Sequence, residues 1–199
     1  MTPVLAFLLA VLSAIPADLP FTSWFTSRGV KVEIARPPQG PPWLRGTADL
    51  PASADAVFAM LAGFRQYREI FAPAVKAATM LESADDSARL HLVWLYPFPL
   101  RNRDAVVAYR ARRADGGFVI SWEADARPGD PREGVRIERV AGETRIEPLA
   151  PDRCRVVYTY FGDLGGSFPA WAQEKAWREE PVQYIRAIRK RLRLLDSGE

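Results

Sequence analysis

The chain of 199 residues contains one cysteine, Cys154, and one histidine, His91. A lone thiol excludes an intramolecular disulfide and a cysteine-based metal cage. A lone imidazole excludes the usual histidine-rich metal and acid–base constellations, and leaves a serine or cysteine nucleophile a single candidate base. His91 sits inside Arg89-Leu90-His91-Leu92-Val93-Trp94. Strand alternation puts it on the face of Arg89 and Val93, so it reads as a surface or hydrogen-bonded sheet residue. Cys154 reads as a small apolar strand residue rather than a nucleophile. Gly129, Gly165 and Gly166 lack the Gly-Lys-Ser/Thr or G-x-G-x-x-G context of a phosphate-binding loop. Charge of one sign is also scarce: 27 basic against 24 acidic residues leave a net +3, too mild to argue for nucleic acid. No cofactor is called for.

What the chain does have is apolar bulk. It is 48% hydrophobic and 11% aromatic, with six Trp and ten Phe. Its length is that of one domain with a substantial core. The aromatics suit a solid core or the wall of an apolar cavity, and composition does not separate the two. At the N-terminus, Val4 to Ala14 is apolar apart from Ser13, and Ser13, Ala14 and Ala17 are small. That run is too short to span a bilayer comfortably and suits the core of a signal peptide. Residues 1–17 are therefore expected to be a signal peptide on a chain sent to the periplasm or beyond, with residues 18–199 as one domain. An uncleaved membrane-proximal anchor and a packed N-terminal helix are the alternatives.

Periodicity divides the rest. Residues 18–28 read as a short helix or arm. Val30, Val32 and Ile34 alternate with Lys31 and Glu33, a half-buried strand, and Trp43 to Leu50 is the next. Ser53 can cap a helix with Ala56, Val57, Met60 and Leu61 on its buried stripe, and Arg65 to Phe71 forms a second short helix. Strands follow near 75–82, 87–96, 103–113, 117–126, 134–140, 143–149 and 153–161. Asp115-Gly116-Gly117 between two of them is a hairpin signal. The final strand runs into Asp163-Leu164-Gly165-Gly166-Ser167-Phe168-Pro169-Ala170-Trp171. Adjacent glycines permit a sharp turn, and Pro169 suits the first turn of a helix. From Trp171 onward, Trp177, Tyr184, Ile185, Ile188, Leu192 and Leu195 follow helical spacing, and Pro181 is expected to kink or split that helix. Consecutive strands between two helical regions predict an α+β fold with an antiparallel sheet.

The pattern D-x-G-G-x-hydrophobic-P-x-W at the head of the last helix resembles the START (steroidogenic acute regulatory-related lipid-transfer) family. Tyr96 to Val106, with the pair Arg103-Asp104 opening a strand, is similar to another of its segments. Gly29 to Ala35 with Trp43 to Leu50, Gly134-Val135-Arg136 and Ile146-Glu147-Pro148 fall in the same order. The resemblance implies a helix-grip fold: a curved antiparallel sheet wrapped around a long C-terminal helix, with a hydrophobic tunnel between them. It implies an Arg and an acidic residue in the tunnel at positions that here hold Tyr109 and Leu90. A more apolar tunnel, with the Tyr109 phenol as its polar handle, is expected instead.

Alternation then selects the tunnel wall: Leu90, Leu92, Trp94, Val107, Tyr109, Ile120, Trp122, Val156, Tyr158 and Tyr160, roofed by Trp177 and Ile188. Arg103, Asp104, Gly165, Gly166, Pro169 and Trp171 are the structural motif. Since neighbouring strand residues face opposite ways, Arg103 and Asp104 are each expected to find a partner elsewhere. The resemblance makes the hairpin of Arg112, Arg113, Gly116, Gly117 and Phe118 a gate over the tunnel mouth and a contact with membrane. The function expected is non-catalytic binding and carriage of one lipid or sterol-like molecule by a monomer, with transient contact to an anionic membrane surface and no nucleic acid. The alternatives are a polyketide aromatase/cyclase drawing on Tyr109, Tyr158, Tyr160 and Asp104, and a ligand-sensing interaction domain.

Overall fold

The computed structural model describes residues 15, 16, 18–166 and 168–193. The expected signal-peptide core at residues 4–14 and Leu195 lie outside them. Three strands open the fold: β1 (Thr22–Ser27), β2 (Val30–Ala35) and β3 (Trp43–Leu50). Helices α1 (Ala54–Ala62) and α2 (Tyr67–Phe71) follow, then β4 (Val75–Ser83), β5 (Ser87–Trp94), β6 (Arg103–Ala114), β7 (Gly117–Ala124), β8 (Val135–Arg136), β9 (Arg139–Ala150) and β10 (Arg153–Asp163). The last helix is α3 (Ala170–Arg191). The strands form one ten-stranded sheet in the order β1-β2-β3-β10-β9-β7-β6-β5-β4, antiparallel except where β8 runs parallel beside β6.

Three expectations need correction. Residues 22–27 are a strand, because Arg28 and Gly29 both take positive φ and fold the segment back onto β2. Residues 139–150 are one strand, not two. Gly142 does not break it but makes room: a Cβ there would stand 2.5 Å from Cζ2 of Trp122 on the neighbouring strand. Finally, α3 is not split at Pro181. The proline is buried and packs against Gly46 of β3, so contact with the sheet holds the helix through the missing hydrogen bond.

The sheet curves around α3, which packs on β2, β3 and β10, while α1 lies on β7, β9 and β10 and α2 bridges β4 and α3. Ser53 caps α1 by accepting from the Ala56 amide at 3.2 Å. Alternation along β6, β7 and β10 turns one apolar face of each strand toward these helices. Basic residues near the end of α3 fasten it. Arg189 donates to the Arg28 carbonyl, and Arg191 donates to Gln66 beside α2.

Candidate functional site

Because α3 covers one side of the concave face, α2 the other and α1 the hairpin end of the middle strands, the rest of those strands is left with space above it. The result is a cavity of about 300 Å³, at the small end of ligand pockets. Its floor includes Trp94, Val107, Tyr109, Ile120, Trp122, Tyr158 and Tyr160, and its roof includes Trp177. These eight residues are among those that alternation and helical spacing selected. Leu90, Leu92, Val156 and Ile188 are not on the wall. They lie in the solid core, essentially without exposure. Alternation identifies the face on which a strand residue points; it does not say where along that face the helices close onto the sheet.

Aromatic rings organise the wall. Tyr158 stacks on Tyr184 of α3 at 3.8 Å between centroids and on Trp122 at 5.5 Å. Tyr109 sits between Tyr67 and Trp122. Its hydroxyl pairs with Tyr67, and burial raises both phenols above their ordinary range. The expected polar handle is therefore already engaged. Tyr184 is tied to Thr144 through an oxygen–oxygen contact of 2.9 Å.

The polar group that sequence reasoning missed is Glu180. It lines the cavity from the middle of α3 and accepts a hydrogen bond from the Tyr158 hydroxyl at 2.9 Å. Burial raises its pKa, against the opposing effect of that hydrogen bond. A signal for it was present. Glu180 lies three residues after Trp177 and four before Tyr184, an acid on the apolar stripe of the helix.

Arg103 and Asp104 do face opposite ways. Arg103 is buried and clamps the strand-to-helix corner: Nε donates to the Leu164 carbonyl at 3.1 Å, Nη2 to the Gly165 carbonyl at 3.4 Å, and Nη1 to the Arg101 carbonyl. Its guanidinium lies over Phe168, 4.6 Å from the ring centre. Gly165 and Gly166 both take positive φ at this corner, Pro169 stands at the N-cap position just before the first turn of α3 rather than within it, and Trp171 points outward with 70% exposure. Asp104 faces away from the cavity. Its Oδ2 takes bonds from Arg136 at 2.8 Å and His91 at 2.9 Å. Burial pushes its pKa up, but the bonds from Arg136, His91 and the Glu133 amide outweigh it and hold the carboxyl below its ordinary range. Asp104 is thus no acid–base group for the cavity. Burial also raises the Cys154 thiol to about 11, which keeps it protonated and inert.

The hairpin expected to gate the cavity does not reach it. Phe118 is buried and stacks on Phe58 of α1 at 4.2 Å. Arg113 pairs with Asp55 at 3.4 Å, and Gly117 is pressed against the Ile146 carbonyl. Arg112, Arg113, Gly116 and Gly117 are likewise absent from the wall. The cavity meets the surface near the opposite end of β6, where wall residues Leu95, Tyr96 and Pro97 precede the strand. A strand of this length separates its two ends by roughly 35 Å. Leu95 is 48% exposed and Phe98 97%. Tyr96 packs edge-on against Phe168, which brings this loop beside the corner that carries Trp171.

Among the described residues, no helix is long and apolar enough to cross a membrane, and no group of three His, Cys, Asp or Glu side chains is placed to hold a metal.

Comparison with known proteins agrees with this architecture. A lipid-transfer protein of the STAR-related type from Xanthomonas axonopodis superposes with a TM-score of 0.77 at 29% identity, over 87% of this chain and 98% of the other. The lipid transfer and protein localization domain of human StarD13 gives 0.73 at 15% identity, over 85% and 87%. The Zhui aromatase/cyclase of a Streptomyces species gives 0.57 at 19%, over 78% and 97%, and shares the fold. An uncharacterised Pseudomonas aeruginosa protein is 25% identical over 103 residues, 48% of this chain, and the match spans about half (51%) of that relative's length. The START domain model matches residues 65–197, two-thirds of the chain, and with the sheet, the gripped helix and the cavity in place, the chain belongs to the START domain family.

Proposed function

We propose that the chain is a non-catalytic carrier that takes one hydrophobic molecule from a membrane and shields it from water in the cavity under α3. The observation that carries this is the aromatic-walled cavity itself, about 300 Å³ in volume, reaching the surface beside exposed apolar side chains. Burial supplies the affinity. Each CH₂ hidden from water contributes about 0.8 kcal/mol, so a single chain or ring system is held without covalent chemistry.

The membrane contact belongs at this mouth rather than at the hairpin. Leu95 and Phe98 in this loop, and Trp171 on the corner that Tyr96 and Phe168 bring beside it, expose apolar side chains that a headgroup layer would cover. Arg101, exposed in the same loop, offers a charge to an anionic lipid. Native mass spectrometry of the purified protein, before and after solvent extraction, tests the carrier. A releasable hydrophobic mass of one molecule per chain supports it. Turnover of an added poly-ketone chain would replace it with a cyclase. Failure to take up any hydrophobe would remove it.

Export completes the proposal, motivated by the apolar run Val4 to Ala14 and the small residues that follow. Expressed in a bacterium with its own N-terminus, the protein should leave the cytoplasm and begin near Asp18. A soluble cytoplasmic product that still starts at Met1 would reject export.

A further inference from the structure

Two polar groups of the cavity wall with unused hydrogen-bonding capacity lie one helical turn apart. Glu180 is a carboxyl whose one hydrogen-bond partner among the described residues is the Tyr158 hydroxyl. That bond uses Oε1 and leaves Oε2 with acceptor capacity. Trp177 precedes Glu180 by three residues, so both project from the same side of α3. Its Nε1 is buried with no hydrogen-bond partner among the described residues. A buried indole N–H left unpaired is destabilising, and such groups call for a specific explanation. Here one helix carries an acceptor with spare capacity and, one turn away, a donor without a partner.

The charge of the wall narrows what could satisfy them. No Lys, Arg or His lines the cavity among the described residues. Its acids are Glu179 and Glu180, and Glu179 is already engaged with Lys175 at 3.8 Å and Gln183 at 3.2 Å. A phosphate or carboxylate headgroup would enter a largely apolar site with no cation to meet it and an acid beside it, which is unfavourable. A hydroxyl fits both groups, because it donates one hydrogen bond and accepts others.

We propose that Glu180 and Trp177 form a hydroxyl-recognition site, the hydroxyl donating to Glu180 and accepting from Trp177 Nε1, so that the carried molecule is a hydrophobic alcohol rather than an anionic lipid. This rests on the carrier function and names its ligand class. It also moves the polar contact of the cavity from the sheet, where Tyr109 is paired with Tyr67, to the covering helix.

The test uses four probes with one ten-carbon chain: 1-decanol, decyl methyl ether, decanoate and decylammonium. Binding to the full chain is read at pH 7 by calorimetry and by tryptophan quenching, since Trp94, Trp122 and Trp177 all line the cavity. Decanol should bind about tenfold tighter than the ether, which cannot donate, and tighter still than decanoate. Trp177→Phe should weaken decanol and ether alike. Glu180→Leu should abolish the preference for decanol over ether. Glu180→Gln, which keeps an acceptor, should retain that preference while relaxing the exclusion of decanoate, and it guards against a Leu variant that fails to fold. Tightest binding of decylammonium would overturn the proposal in favour of an ion-pair site. Equal binding of all four would overturn it while leaving an apolar carrier intact. No binding of any probe would bring down the carrier function itself.

Discussion

Gly46 provides the sharpest test of how the sheet grips its helix. It lies on β3 beneath Pro181, and a Cβ added there would stand 2.8 Å from the Pro181 Cβ and 3.5 Å from Cδ1 of Ile185. Carbon atoms rest at about 3.5–4.0 Å, so Gly46→Ala forces α3 away from the sheet by roughly 1 Å. Overpacking of this kind costs about 1–3 kcal/mol, and the better strand behaviour of Ala over Gly returns about 0.5–1 kcal/mol. The net loss should be about 1–2 kcal/mol, or a fall in Tm of roughly 2–8 °C for a chain of this size. The displacement should also disturb the Tyr158–Tyr184 stack and the Thr144–Tyr184 contact, which near-ultraviolet circular dichroism will register. Pro181→Ala should not relieve the clash, because the offending Cβ remains. Pro181→Gly should relieve it, so the double variant with Gly46→Ala should show positive coupling in a thermodynamic cycle. A Gly46→Ala protein as stable as the parent, with an unchanged aromatic spectrum, would refute the close approach of helix and sheet.

Four further outcomes follow from the site. Arg103→Lys keeps a charge but not the fork that reaches several carbonyls; it should lower stability and speed amide exchange across residues 164–176, and unchanged exchange there would dismiss the clamp. Asp104 is held below its ordinary value of 3.8, so its stabilisation is complete above that value and is lost as pH falls through its folded-state pKa; Asp104→Asn should flatten this acid limb of the denaturation profile. Glu180 is shifted the other way, so stability should fall as pH rises from its ordinary value of 4.5 towards its raised folded-state value, and Glu180→Gln should remove that slope. Phe98→Ser should slow extraction of a hydrophobe from vesicles, whereas Arg112→Glu with Arg113→Glu should leave the rate unchanged; the reverse pattern would return the membrane contact to the hairpin.

Local chemistry was enough to specify much of this protein. Strand alternation assigns Tyr109, Trp122 and Tyr158 to one face because Cβ direction reverses at every residue, whatever the rest of the chain does. The Asp115-Gly116 turn is likewise local, since both residues must take positive φ. The order of the motifs, from Arg103-Asp104 to the Gly165-Gly166 corner, carries the family and with it the fold. Tertiary structure decided what depends on where elements meet. Leu90 and Trp94 share a face, yet only Trp94 reaches the cavity, because the empty space is whatever the helices leave uncovered. Gly142 reads as a breaker but lies inside one strand, because Trp122 occupies the space a side chain there would fill. Phe118 reads as a gate residue until Phe58, 60 positions earlier, is seen to cover it. Glu180 reads as one more helix acid until the curvature of the sheet encloses it. Periodicity follows from covalent geometry along the chain; enclosure is a property of surfaces brought together from distant parts of it.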